Sequence, residues 1–335
     1  MSTIRKLPIP SPLVSLKNIL FAMDFSPSSL LAFPFAVGLA RHYSGQVFVA
    51  HILSAEDYDS VPAAWQSTLK AIETEMEEGL SSPLGSLRDI PHEAVFDHGD
   101  ICSKLLAMAA KCGSELIVIG THGRQGIKKL LKGSTAEQIA YSATMPVLIV
   151  GPKVTRRSDF KRILYTCDIS DCAMYALPYA VSLVQAYGAA FILHVNGWGI
   201  EGPVSDATPA LVESFRKQLQ PWRSDMGMKI VESLREQLHR YFFPQFWNSA
   251  EVFAELQRLP PANSSDCSDV IVDFGPRAAS ILELIAAREI DLVVMSFDSK
   301  KGIEASIAAH LAESTAYAIA AQANCPVLVV PALPV

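Results

Sequence analysis

Three glycines that follow a short apolar run could build an anion-binding site in the first half of the chain. Residues 116–119 are all aliphatic, a pattern typical of a buried β-strand, and Gly120 ends the run. Gly123 and Gly133 come next. Because glycine has no Cβ, its backbone N–H group can approach a ligand closely. Ser134 and Thr135 then open a predicted helix, whose N-terminus favours an anion. The segment therefore predicts a phosphate site built mainly from backbone.

The glycine spacing differs from that of the common nucleotide-binding loops. A Walker A loop needs Gly-Lys-Ser/Thr after its first glycines, and the dinucleotide fingerprint is GxGxxG; the segment has neither. An alternative interpretation is that the glycines only shape a turn and let a helix pack closely.

Bulk composition limits the classes of function. The 335 residues suffice for two domains, and 50% hydrophobic with 19% charged residues argues against global disorder. A net charge of −6 argues against a nucleic-acid-binding protein. The six cysteines form no CxxC pair or Cys/His metal spacing, so we expect reduced thiols and no metal site. With no signal peptide and no membrane-spanning run recognisable, we expect a cytoplasmic protein without membrane partners.

The chain carries an internal duplication. Five segments recur in the same order: residues 17–26 as 161–170, 47–52 as 190–195, 96–99 as 272–275, 116–119 as 292–295, and 145–150 as 325–330. The second match places His51 opposite His194, and both are interpreted as structural histidines. The predicted domains are residues 15–152 and 159–332, joined near residues 151–159.

Each copy has the pattern of a doubly wound α/β domain. The predicted order is strand, helix, strand, long segment, strand, helix, strand, helix, strand, with the first helices over residues 26–41 and 170–187. Continuous aliphatic strands alternating with helices predict a parallel sheet covered on both faces. Ligands are expected at the carboxyl ends of such strands, where both Asp24 and Gly120 fall.

The two copies differ at the glycine motif. Ser296, Phe297 and Asp298 follow the equivalent strand of the second copy, and Glu313 stands opposite Gly133. Bulk and negative charge oppose anion binding, so the second copy is predicted not to bind ATP. It also carries a longer segment, about 197–268, interpreted either as packing over a domain or as a lid or partner surface.

Together, the duplication and the glycine spacing resemble the ATP-binding branch of the universal stress protein family, in a tandem form with two fused domains. The resemblance implies two Rossmann-like (adenine nucleotide alpha hydrolase-like) open parallel sheets of five strands. It also implies that the last strands, 147–150 and 327–330, pair the two domains as a pseudo-dimer.

The same resemblance implies binding roles for residues of the first copy. Asp24 would contact the adenine or ribose, preceded by Ala22 and Met23, and Ile52 would contact the base. Asp24 could also simply cap the helix that begins near Ser26. The remaining base, ribose and phosphate contacts would come from Ile119, Gly120, Thr121, His122, Gly123, Arg124, Gly133, Ser134 and Thr135. The implied ligand is ATP, optionally with Mg²⁺, and no residue is assigned as catalytic or as a metal ligand.

The sequence thus favours an ATP-binding stress or signalling protein that is not an enzyme. The first domain would hold the nucleotide, the second would be a degenerate scaffold, and an unknown protein partner would read the bound state. One alternative is a slow ATPase, nucleotidyltransferase or phosphotransferase, against which the missing Walker lysine and paired carboxylates count. Another is a nucleotide-free interaction protein acting through the segment 197–268. A further homodimer of tandem chains stays open.

Overall fold

The computed structural model describes residues 14–54, 87, 89–121, 135–155, 158–168, 175–196, 268–273, 276–297 and 315–332. Several predicted features lie outside these described residues: His122, Gly123, Arg124, Gly133, Ser134, the second-half residues 298–314, and nearly all of the segment 197–268.

The predicted order of strands and helices is confirmed in both halves. The first half contains β1 (Asn18–Ala22), α1 (Pro27–Tyr43), β2 (Gln46–Leu53), β3 (His92–His98), α2 (Ile101–Lys111), β4 (Leu116–Gly120), α3 (Thr135–Ser142) and β5 (Val147–Val150). The second contains β6 (Arg162–Asp168), α4 (Leu177–Tyr187), β7 (Ala190–Asn196), β8 (Ser268–Asp273), α5 (Arg277–Ala287), β9 (Leu292–Phe297), α6 (Thr315–Gln322) and β10 (Val327–Pro331).

All ten strands form one mixed sheet in the order β3-β2-β1-β4-β5-β10-β9-β6-β7-β8. Within each half the pairs are parallel, whereas β5 and β10 are antiparallel, with Leu148 opposite Leu328. Every residue of β5 and β10 is buried. The aliphatic last strand of each half therefore pairs with the other, which leaves neither as an exposed edge.

Helices cover both faces of this sheet, as the aliphatic strands predict. One apolar core lies between the sheet and the helices α1 and α4, and it runs through both halves. The second core lies on the opposite face, against α2, α3, α5 and α6. Successive side chains of a strand enter opposite cores, so strand register decides which residues reach a given face.

The strand register corrects one part of the comparison between the halves. Ala22 pairs with Ala50, and Thr166, which aligns with Ala22, pairs with His194. His194 therefore corresponds to Ala50 and not to His51. A shift of one residue along a strand reverses the face, so the two histidines point to opposite sides of the sheet.

The helix predicted over residues 170–187 corresponds to α4, and residues 169–174 lie outside the described residues. In the described residues α4 begins only at Leu177, with Pro178 in its first turn, where a missing N–H group is tolerated. The equivalent Pro34 lies inside α1, because Ser26 caps that helix and starts it two turns earlier.

The connection between the halves packs closely against α6. A Cβ built on Gly151 would lie 1.9 Å from the carbonyl oxygen of Ala320. The N–H group of Thr155 donates a hydrogen bond of 3.1 Å to the carbonyl oxygen of Asn324. Only glycine therefore fits at position 151, because a Cβ would overlap the backbone of α6.

We expect Gly151→Ala to lower the free energy of unfolding by about 1–3 kcal/mol, because the added methyl group forces the connection away from α6. Denaturant unfolding of the full chain measures the change. Gly188→Ala is the control, since its added Cβ meets no atom within 4 Å and only the positive φ of 60° opposes it. An effect of Gly151→Ala no larger than that of the control would contradict the packing argument.

Candidate functional site

The candidate site lies where the strand order of the first half reverses direction. β1 and β4 are neighbours, yet β1 leads into α1 on one face and β4 precedes α3 on the other. Such a reversal leaves a crevice at the carboxyl ends of the two strands, where ligands bind in open α/β sheets. The described residues predicted to bind a ligand come from this edge and from the start of α3.

Three of the predicted residues form an apolar surface on one face of the sheet. Ala22, Ile52 and Ile119 come from β1, β2 and β4 and share the core covered by α2 and α3. They are 8%, 8% and 5% exposed, so only a narrow edge of the surface reaches solvent. Aliphatic side chains arranged in this way suit the face of a flat, apolar ring.

Asp24 orients the turn between β1 and α1. Its carboxylate accepts a hydrogen bond of 3.0 Å from the N–H group of Ser26. The hydroxyl of Ser26 in turn accepts the N–H group of Ser29 at 3.2 Å and caps α1. Between them Phe25 adopts a positive φ of 59°, which is uncommon for a residue with a side chain. The interpretation of Asp24 as the helix cap is therefore wrong, because Ser26 has that role.

The N–H group, the carbonyl oxygen and the side chain of Met23 all make contacts inside the protein. Its N–H group donates to the carbonyl oxygen of Ala50 at 2.8 Å, and its own carbonyl oxygen lies 2.6 Å from Nδ1 of His51. A carbonyl can only accept, so Nδ1 of His51 carries the hydrogen. The side chain of Met23 is buried in the core on the α1 face, opposite to Ala22. His51 is thus a structural histidine, as expected.

Gly120 packs closely against the start of α1. A Cβ at this position would lie 2.6 Å from the carbonyl carbon and oxygen of Ser28, at the start of α1. The close helix packing of the alternative interpretation therefore occurs at this position, and the ligand contact of Gly120 stays a prediction. The next residue, Thr121, is 2% exposed, and its N–H group donates to the carbonyl oxygen of Val150 at 3.0 Å.

The thiol of Cys102, which the sequence analysis did not place here, lies beside the start of α3. It donates a hydrogen bond of 3.0 Å to Oε1 of Gln138 and lies 3.9 Å from the carbonyl oxygen of Thr135. Burial, with a smaller contribution from Asp100, raises the pKa of Cys102 to about 11. A thiol with such a pKa is almost wholly protonated at neutral pH and is a poor nucleophile.

An ion pair at the end of β3 was also missed by the sequence analysis. Asp97 is the cross-strand neighbour of Ile52, and its carboxylate lies 3.0 Å from Nζ of Lys104 on α2. The repeat of residues 96–99 in the second half marks the strand end at Asp97, but it does not pair Asp97 with Lys104.

The equivalent edge of the second half has different chemistry. Thr166, His194 and Asn196 take the places of Ala22, Ala50 and Ile52, and all three polar side chains are at most 4% exposed. Thr166 and His194 are hydrogen-bonded at 2.9 Å. This buried polar row thus replaces two of the three residues of the apolar surface, Ala22 and Ile52, whereas Met295 takes the place of Ile119.

The described residues contain neither a metal-binding cluster nor a membrane-spanning helix. No group of three or more His, Cys, Asp or Glu side chains in this part of the chain could hold a metal ion. No helix within the described ranges is long and apolar enough to span a membrane. None of the cysteines that the structure describes, Cys102, Cys112, Cys167 and Cys325, forms a disulfide.

A single protein family matches both halves of the chain. The model of the universal stress protein family matches residues 15–151 and 159–331. A universal stress protein of Methanocaldococcus jannaschii is 26% identical over 138 residues, which cover 40% of this chain and 81% of that protein. Universal stress protein A homolog 1 of Coxiella burnetii is 30% identical over 145 residues, covering 41% of this chain and 97% of its own length.

Solved structures match over nearly the whole chain. A universal stress protein from Archaeoglobus fulgidus has a TM-score of 0.61 at 16% identity, covering 95% of this chain and 97% of its own. A second such structure, from Pseudomonas aeruginosa, has a TM-score of 0.55 at 13% identity and covers 96% and 95%. At these identities the likeness concerns the fold alone.

We expect Gly120→Ala to destabilise the protein by about 1–3 kcal/mol, because the added methyl group overlaps the first turn of α1. Thermal unfolding measures the loss. The matched control is Ser296→Ala at the equivalent position of β9, which already carries a Cβ and should change stability by less than about 0.5 kcal/mol. Equal effects of the two substitutions would show that Gly120 has no special packing role.

We expect Cys102 to resist alkylation. At pH 8 its reaction with iodoacetamide should be on the order of a hundredfold slower than that of a free cysteine, since its thiolate fraction is small. Peptide mapping by mass spectrometry measures the rate. Labelling of native protein as fast as that of N-acetylcysteine would contradict the raised pKa.

Proposed function

Because the chain belongs to the universal stress protein family and matches its domain twice, we propose that it is a nucleotide-binding signalling protein. One ATP would bind at the carboxyl edge of β1 and β4 in the first half. The second half would serve as a scaffold, and a protein partner in the cytoplasm would read the bound state.

The observation that carries this proposal is the arrangement of the first-half edge. The apolar side chains of Ala22, Ile52 and Ile119 offer a surface for the base, and Asp24, two residues beyond Ala22, would accept hydrogen bonds from polar groups of base or ribose. α3 begins at Thr135 on the same side of the crevice, so its N-terminus favours phosphate. A Mg²⁺ ion would be held chiefly by the phosphates.

The described chemistry favours binding over turnover. His51 is 2% exposed and packs against Phe25 and Phe96 on the α1 face, away from Ile52, and Cys102 is a protonated thiol. Neither is suited to activate water for attack on a phosphate, which needs a general base near the reacting group. Hydrolysis would therefore be slow, and the bound nucleotide would act as a signal.

The second half supports the asymmetry of the proposal. Its polar row of Thr166, His194 and Asn196 takes the place of most of the apolar surface for a base, and Glu313 replaces the glycine of the phosphate segment. There a nucleotide would meet polar side chains where its base would bind and a carboxylate where its phosphates would bind.

Calorimetric titration of the full chain with ATP tests the proposal. We expect one ATP per chain in the wild type and none in Gly133→Glu, which copies the residue of the second half. The control Glu313→Gly should still bind one ATP, because the polar row of the second half stays in place. Absence of binding to the wild type would refute the proposal, and two ATP per chain would refute the asymmetry.

A further inference from the structure

The ion pair between Asp97 and Lys104 stands at the edge of the candidate site. Lys104 approaches both carboxylate oxygens, with Nζ at 3.2 Å from Oδ1 and 3.0 Å from Oδ2. The N–H group of His98 donates to Oδ1 at 2.8 Å, and Nδ1 of His98 lies 3.7 Å from the same atom. These contacts fix the carboxylate in one orientation. The backbone hydrogen bond from His98, followed by the contact with Lys104, lowers the pKa of Asp97, so it is ionised at neutral pH.

The strand register brings this carboxylate next to the surface proposed for the base. Asp97 is the direct neighbour of Ile52 in the parallel ladder of β2 and β3. Neighbours in a parallel ladder project to the same face, with strands about 4.8 Å apart. Asp97 therefore lies beside the residue that would contact the base, on the side away from β1 and β4. A ring lying on Ile52 would turn one edge toward Asp97.

The carboxylate keeps hydrogen-bonding capacity for a ligand. The side chain of Asp97 is 35% exposed and that of Lys104 is 41% exposed, so both reach solvent. Among the described residues, Oδ2 of Asp97 accepts only from Lys104. A carboxylate oxygen can accept a second hydrogen bond, so Oδ2 is open to a further donor.

The second half supplies an internal comparison. Asp273 occupies the equivalent place, in register with Asn196. However, Ser280 replaces the lysine, since it follows Gly275 by the same five residues that separate Lys104 from Gly99. The second half therefore has neither a lysine at the position of Lys104 nor an apolar residue at the position of Ile52.

We propose that Asp97 accepts a hydrogen bond from the 6-amino group of an adenine base and thereby makes the site selective for adenine nucleotides. Lys104 is a positioning residue that holds the carboxylate toward the base. Adenine carries an exocyclic amino donor at position 6, and a carboxylate can only accept. The proposal rests on the nucleotide-binding function proposed above and names a determinant of its specificity.

The test compares ATP with the triphosphate of purine riboside, which lacks only the 6-amino group. We expect the wild-type full chain to bind ATP about tenfold more tightly, the discrimination typical of one good hydrogen-bonded contact to a base. Asp97→Leu should bind both compounds alike. Lys104→Met should reduce the preference in part, because the carboxylate stays but loses its orientation.

The matched control is Asp89→Asn. Asp89 forms an exposed ion pair of 3.0 Å with Arg41 just before β3, at the opposite end of that strand. Its removal should leave both affinities and their ratio unchanged. Thermal unfolding of each variant distinguishes lost selectivity from lost structure.

The outcomes separate this proposal from the one on which it rests. If the wild type binds ATP and Asp97→Leu keeps the full preference, the role of Asp97 is refuted while nucleotide binding stands. Equal binding of both compounds by the wild type would also refute the role of Asp97 while nucleotide binding stands. If the wild type binds neither compound, both proposals are refuted.

Discussion

The register of the parallel strands β3-β2-β1-β4 determines what the carboxyl edge of the first half can do. Side chains alternate between the two faces of a strand, so a given register sends Ala22, Ile52 and Ile119 to one face and Met23 to the other. The same register sets Asp97 beside Ile52. A shift of one residue in the register of β2 would place His51 where Ile52 lies, so a histidine would replace one of the three apolar residues. The site thus depends on the strand pairing more than on any single side chain.

The duplicated half keeps this framework and changes the chemistry within it. Strand order and register are the same, yet Thr166, His194 and Asn196 make the second edge polar. Buried polar groups are costly unless hydrogen-bonded, and Thr166 and His194 meet this condition through each other. The antiparallel pair of β5 and β10, together with a core shared by α1 and α4, joins the two halves into one sheet. The second half therefore keeps the fold of the first half without keeping the chemistry of the candidate site.

Sequence patterns predicted the fold well because the relevant signals are local. Aliphatic runs located the strands, and the helical spacing located α1 within two residues at its end. The match of His51 with His194 was wrong because it followed residue similarity. Both His194 and Ala50 lie seven residues beyond the equivalent tyrosines that end α4 and α1, and this chain length sets the register. The ion pair of Asp97 escaped notice because it joins a strand end to a helix, a contact that only the folded chain creates. The contacts predicted for Asp24 and Ile52 stay predictions.

A crystal structure of the full chain with a non-hydrolysable ATP analogue tests the central claim most directly. The proposed function predicts density for one nucleotide at the carboxyl edge of β1 and β4, with its base over Ile52 and its phosphates toward the start of α3. It predicts no nucleotide at the equivalent edge of β6 and β9. A nucleotide over Asn196, or none at either edge under saturating conditions, would contradict the account.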